Sequence, residues 1–141
     1  HQPVSNRWIT YIYDKFTRTP FFKFMGVKIA SLSEGKATLE LLITDNLLNT
    51  YGTCHGGALS ALADMVMGIA LRTLKVKVVT VELSMNYLQP VQLGQVLVAT
   101  SSVIHQGRRT IVAETELHCQ DNLVAKGKGT FFVVGPDSYE K

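Results

Sequence analysis

The sequence predicts an α+β fold in which a curved antiparallel sheet of about six strands wraps around one long, very apolar helix. Three observations carry that expectation. Period-two alternation of apolar and polar residues, the mark of half-buried strands, recurs along most of the chain after Gly26. Residues 56–71 interrupt it with a run that is almost entirely Gly, Ala, Leu, Met, Val and Ile, with Asp64 as its one charged group. Strands of 10–12 residues reach roughly 33–40 Å, longer than the ~24 Å of a 16-residue helix, so a twisted sheet can curl around it. A helix apolar on nearly all sides must be enclosed.

The elements follow in order. Ser5 is suited to cap a short helix over residues 5–17, where Ile9, Ile12, Tyr13 and Phe16 recur at helical spacing and Pro20 ends the run. "VKIASLS", a Glu34-Gly35 turn and "KATLELLI" read as a β-hairpin, with Ala37, Leu39, Leu41 and Ile43 on one face. Residues 44–53 form an irregular loop leading to His55, and residues 56–74 the central helix. Over residues 78–88, Val79, Val81, Leu83, Met85 and Tyr87 alternate with Thr80, Glu82, Ser84 and Asn86. Pro90 and Gly94 mark a turn, and residues 95–106, 109–120 and 123–134 form a meander. No repeat, linker or low-complexity segment divides the chain, so residues 1–141 are expected to be one domain.

Composition narrows the function classes. The 141 residues are 46% apolar and 18% charged, a globular balance. The apolar run is shorter than the roughly 20 residues that span a bilayer, so no membrane partner is expected. The 14 basic residues are scattered, with only Arg108 and Arg109 adjacent, which disfavours nucleic acid but suits a small, highly anionic ligand. Cys54 and Cys119 show neither disulfide nor zinc spacing, so a cytoplasmic setting and no metal are expected. "HQPVSNRWITYIYDKF" has no uninterrupted apolar core of the signal-peptide kind.

The architecture of a helix wrapped by a sheet is that of the hotdog fold. The pattern N-x-x-G-x-x-H-G-G-x-x-x-x-L-x-D, formed by Asn49, Gly52, His55, Gly56, Gly57, Leu62 and Asp64, resembles the signature of PaaI-like acyl-CoA thioesterases. "MNYLQPVQLG" and "HQGRRTIVAETEL" are similar to that family's later strands, and the likeness covers about residues 20–134. The resemblance implies hydrolysis of an acyl-CoA substrate, with coenzyme A entering as part of that substrate and no separate cofactor. It also implies a homodimer, paired again into a homotetramer.

The chemistry reads residue by residue. The first N–H groups of a helix lack internal acceptors and carry partial positive charge. A thioester carbonyl docked on the Gly56 N–H would have its developing oxyanion stabilised. The two glycines either permit that close approach or only a tight entry turn. His55 could be a base, a metal ligand or an orienter; no second His or Cys sits at ligand spacing, and the resemblance gives it a supporting part. A Cys54–His55 nucleophile pair is disfavoured because adjacent side chains rarely point together.

Asp64 is either hydrogen-bonded to backbone or placed at a cavity, since an unpaired buried carboxylate costs several kcal/mol. At a cavity it would deprotonate water or attack the thioester itself. It lies about 12 Å along the helix from Gly56, too far for both to act on one carbonyl, so antiparallel helices of two subunits would complete each site. Asn49 either holds water or the thioester oxygen, or caps its loop. The resemblance matches Thr80 to a residue that orients the water. Arg108 and Arg109 suit the CoA phosphates, and Asn86 and Thr110 the pantetheine path. Met65, Met67 and the first helix are expected to line an acyl tunnel. Two other readings are an acyl-thioester dehydratase or hydratase, whose helix-entry motif is absent, and a non-catalytic acyl-CoA-binding regulator, which would not need Asn49 and Asp64 together.

Overall fold

The computed structural model describes residues 4–139. Two short helices, α1 (Asn6–Thr17) and α2 (Pro20–Met25), precede the hairpin β1 (Lys28–Ser33) and β2 (Lys36–Leu42). The long helix α3 (Gly56–Arg72) follows, then β3 (Val76–Tyr87), β4 (Val96–Gln106), β5 (Thr110–Cys119) and β6 (Asn122–Pro136). All six strands form one antiparallel sheet in the order β1-β2-β4-β5-β6-β3. This is the hotdog fold, and β3 is an edge strand. Among the described residues no helix is long and apolar enough to cross a membrane.

The N-terminal region departs from the expectation in two ways. Ser5 does cap α1, its Oγ accepting the Trp8 N–H at 3.1 Å, but the face that packs inward centres on Trp8 and Ile12, both fully buried. Pro20 begins a second helix instead of merely ending the first. Thr19 is its N-cap, Pro20 occupies the first turn, where its missing N–H costs nothing, and Gly26 closes it in the left-handed region at φ 80°. Phe22 and Met25 point into the core and Phe21 and Phe24 stay exposed.

One face of α3 lies on the sheet, burying Leu59, Leu62, Ala63, Val66, Met67, Ile69, Ala70 and Leu71. Burial of each large side chain there contributes roughly 1.5–3 kcal/mol. Small residues on β6 let the helix sit close: a Cβ at Gly129 would meet the Met67 side chain at 3.0 Å. Met67 is therefore a core residue with no exposure, which corrects its expected place in a tunnel. Enclosure is also incomplete within one chain. Gly57, Ala61, Asp64 and Gly68, at helical spacing along the opposite side, are not buried.

The C-terminal end of α3 is tied down. The Trp8 indole N–H donates to the Arg72 carbonyl at 2.9 Å, and the Arg72 guanidinium pairs with the fully buried Asp137 carboxylate. Tyr139 meets Trp8 edge-on with ring centroids 5.0 Å apart. Thr73, the C-cap, donates from Oγ1 to the Ala70 carbonyl and accepts the Gly35 N–H from the first hairpin.

The outer face of the sheet is polar and ordered in rows. Thr38, Thr100, Glu116, Lys126 and Asn86 stand side by side on successive strands. Lys126 bonds Glu116 at 2.8 Å, and that hydrogen bond and charge hold the Glu116 carboxyl below the usual carboxylate range.

Candidate active site

A loop over residues 44–55 delivers His55 to the start of α3. The Cys54 N–H donates to the Val91 carbonyl at 2.8 Å and the His55 N–H to the Leu47 carbonyl at 2.7 Å. His55 is the N-cap of the helix: its Nδ1 accepts the Gly57 N–H at 2.7 Å. A neutral imidazole that accepts at Nδ1 carries its proton on Nε2, so the exposed ring keeps a donor for a ligand. The Ala58 and Leu59 N–H groups return to the His55 carbonyl. The Gly56 N–H alone at this helix start finds no acceptor among the described residues.

Neither glycine has a positive φ, so a tight entry turn is not what requires them. At Gly57 a Cβ would lie 3.0 Å from His55 Nδ1 and crowd the cap. At Gly56 a Cβ would meet only the Tyr87 ring, at an ordinary 3.7 Å. Among the described residues no closer contact demands glycine there.

Two turns further on, Asp64 stands on the open stripe of α3, half-buried and without an ion-pair partner among the described residues. Its Oδ1 accepts a hydrogen bond from Thr80 Oγ1 at 2.8 Å. A bulge makes this contact. β3 pairs Thr80 with Phe131 and Glu82 with Thr130, leaving Val81 as the extra residue. Simple alternation would put Thr80 opposite to Leu83, Met85 and Tyr87; the bulge turns it to their side, facing the helix.

Asn49 organises its loop. Its Oδ1 accepts the N–H groups of Tyr51 (2.9 Å) and Thr53 (3.0 Å), and its Nδ2 donates to Thr53 Oγ1 at 2.9 Å. The loop-cap role thus takes up its oxygen, and one amide hydrogen remains free to donate. Cys54 is buried, its Sγ directed at the His55 carbonyl, and burial pushes its thiol up to about 11. It is no nucleophile in this arrangement.

The remaining predicted residues lie elsewhere. The exposed Arg108 and Arg109 occupy the β4–β5 turn, beside Thr110. The register Thr110–Phe132–Val79 puts that turn level with Asp64 and Thr80, not with Gly56. Asn86 pairs with Lys126 on the outer face, opposite to the helix, which corrects its placement on a path to the site. Among the described residues no group of three His, Cys, Asp or Glu could hold a metal.

Sequence reasoning passed over Tyr87 and Ser60. The Tyr87 ring lies against Gly56, and its hydroxyl is hydrogen-bonded to that of Ser60 one turn into α3. Tyr87 stood in the β3 alternation as one more apolar position, although an aromatic hydroxyl at a strand end beside the glycines was a usable signal. Two cavities flank this helix start. One, of about 340 Å³, lies between Asn49, Gly56 and Tyr87. The other, of about 230 Å³, lies between α2 and the first turns of α3.

The fold and this arrangement define a hotdog protein with an unpaired N–H at its helix start and a carboxylate two turns along. The model of the thioesterase superfamily matches residues 51–126, and the chain belongs to that superfamily as a PaaI-like hotdog thioesterase. It is 33% identical over 114 residues to the acyl-coenzyme A thioesterase PaaI of Escherichia coli K12, covering 80% of this chain and 81% of that one. The solved structure of the E. coli PaaI protein from the phenylacetic acid degradation operon superposes with a TM-score of 0.90 at 29% identity, over 95% of this chain and 98% of that one. A hypothetical thioesterase protein from Streptococcus pneumoniae, solved with coenzyme A, superposes at 0.79 with 33% identity, over 82% of this chain and 94% of that one.

Proposed function

We propose that the protein hydrolyses acyl-CoA thioesters to the free acid and coenzyme A, in composite sites shared between two subunits. The observation that carries this reading is the division of labour at the start of α3. His55 takes the Gly57 N–H, so the Gly56 N–H is left to polarise a thioester carbonyl and to hold the oxyanion of the tetrahedral intermediate. One such donor contributes roughly 3–4 kcal/mol to the transition state.

Asp64 supplies the carboxylate, with one oxygen held by Thr80 and the other available. It takes the proton of an attacking water, or attacks the carbonyl itself to give an anhydride that water then opens. On either route the C–S bond breaks and the CoA thiolate leaves. His55 donates from Nε2 beside the carbonyl, and Asn49 from its remaining amide hydrogen.

Gly56 and Asp64 are about 12 Å apart along one helix, and reacting atoms must approach within roughly 3–3.5 Å. A second copy packed two-fold on the open stripe of α3 would bring its Asp64 to this Gly56. The exposed edge strand β3, with Val79 and Val81 half-exposed, suits the same contact. Arg108 and Arg109, level with Asp64, would then serve the phosphates of substrate held on the partner's helix start, with Thr110 beside them. The proposed assembly is a homodimer, paired again into a homotetramer. Two free, buried cysteines suit a reducing cytoplasm.

The test is thiol release from a panel of acyl-CoAs by the wild type and by Asp64→Asn, with assembly followed by sedimentation. Wild type is expected to release thiol, and the variant to fall by about 10²–10⁴-fold in kcat. Undiminished turnover by the variant, or a fully active monomer, would overturn the shared site.

A further inference from the structure

Among the described residues, α3 meets the edge strand β3 through two side-chain hydrogen bonds. One, from Thr80 to Asp64, belongs to the proposed chemistry. The other joins the hydroxyls of Tyr87 and Ser60, and the proposed chemistry leaves it unused. Simple packing does not require this bond. Tyr87 is 50% exposed, so water can serve its oxygen. A helical serine commonly bonds back to the carbonyl four residues earlier, here that of Gly56, and Ser60 does not do so.

The bond fixes where the phenol lies. Its Cζ stands 3.7 Å, and its oxygen 3.9 Å, from the point that a Cβ on Gly56 would occupy. The phenol therefore flanks the residue whose N–H is unpaired among the described residues, and it lines the cavity of about 340 Å³ there. The pair holds two hydroxyl hydrogens and spends one between its own oxygens, so one O–H stays available. Neither hydroxyl has another partner among the described residues. An oxygen that accepts a hydrogen bond becomes a stronger donor in turn.

We propose that Tyr87 is a further catalytic residue: its hydroxyl, held in place by Ser60, donates to the departing sulfur of the thioester. This rests on the thioester-hydrolase reading and adds the group that attends the leaving side. In that reading Gly56 and His55 hold the carbonyl oxygen and the second copy's Asp64 drives the attack, while no group attends the sulfur. Oxygen and sulfur share one carbon, so a donor flanking Gly56 is placed beside the sulfur when the oxygen sits on the Gly56 N–H. As the C–S bond breaks, its electron pair passes to sulfur and the phenol stabilises that charge. Phenols and thiols are acids of comparable strength, and such a match favours sharing the proton in the transition state. If the proton passes fully to sulfur, Ser60 donates to the phenolate and water restores its proton as coenzyme A departs. Ser60 is a positioning residue, acting through the phenol.

The test uses two thioesters of whichever acyl group the wild type turns over best, one of N-acetylcysteamine and one of the more acidic thiophenol. Tyr87→Phe keeps the ring and removes only the hydroxyl, and circular dichroism checks its fold. Its kcat/KM is expected to fall at least about tenfold on the N-acetylcysteamine ester and less than about twofold on the thiophenol ester, which needs little help to leave. Ser60→Ala is expected to show the same split in smaller measure. Binding gives a readout without turnover. At about pH 9, where much of a free thiol is ionised, wild type is expected to bind coenzyme A about tenfold more tightly than desulfo-coenzyme A in calorimetry, and Tyr87→Phe to lose that preference. If wild type turns over no thioester, the hydrolase reading fails, while the binding preference still shows whether Tyr87 donates to sulfur. Equal losses on both esters, or none, overturn the inference. Equal losses joined to a loss of assembly on sedimentation would make the pair a contact between copies of the chain instead. A Ser60→Ala enzyme equal to wild type would overturn the part given to Ser60.

Discussion

At its C-terminal end α3 is tied down by the buried Trp8, by Asp137 on Arg72 and by Thr73 reaching to the first hairpin. At its N-terminal end the same helix has an N–H unpaired among the described residues, a cavity on each flank and exposed phenyl rings nearby. Both ends belong to one element, so the difference is not one of helix propensity. What separates them is what the neighbouring segments supply: α1 and the C-terminal segment finish one end, while the loop over residues 44–55 leaves the other open. The anchoring contacts are concentrated at the closed end, and the groups proposed to act on substrate at the open one.

The strongest way to break this contrast is Trp8→Ala, which removes a fully buried ring and its hydrogen bond to Arg72. A loss of about 3–5 kcal/mol is expected in urea unfolding, with the kcat of the molecules that remain folded changed far less. Equal damage to kcat in fully folded protein would show that the two ends are coupled.

Cys54 sharpens the contrast, because it is a closed group inside the open end. Its raised pKa means the thiolate appears only as pH approaches about 11, so little of it exists at pH 8. Alkylation by iodoacetamide at that pH, mapped by mass spectrometry, is expected to run more than about a hundredfold slower than for a free cysteine of pKa ≈ 8.5. The rate should climb steadily up to about pH 11. Fast labelling at pH 8 would mean the loop opens.

The smallest effect is expected from Thr80→Val. It deletes one hydrogen bond to Asp64 at a position exposed in the single chain, so stability should move by about 1 kcal/mol or less. A fall of about tenfold in kcat, with KM little altered, would fit a residue that positions the carboxylate. A rise in KM alone would assign Thr80 to binding instead.

Much of this molecule is legible in the sequence because local pattern and final environment agree. The first hairpin, the meander and α3 each follow their period, and the chain from Asn49 to Asp64 places the histidine and glycines at the start of α3 and the carboxylate two turns along it. Helix α2 was also written there, in Thr19, Pro20 and Gly26, but six residues are too few to show a period, and the proline reads first as a stop. Other features depend on partners distant in sequence. The bulge at Val81 is set by pairing with β6, so alternation alone mistakes the face of Thr80. The occupied oxygen of Asn49 depends on loop N–H groups that no motif records. Tyr87 acquires its place against Gly56 only when β3 and the helix start are packed together.

The bulge has a consequence for how this protein could be stabilised. Hydrophobic pattern alone favours a regular β3 with Val79 and Val81 turned inward and Thr80 outward. The irregular strand is the one in which Thr80 meets Asp64. Here hydrophobic pattern and the proposed catalytic contact prefer different registers of the same strand, a local frustration of the kind found at working sites. Selection for thermal stability alone would be drawn toward changes that regularise β3, and a variant that yielded to it would melt higher while its carboxylate lost its hydroxyl partner.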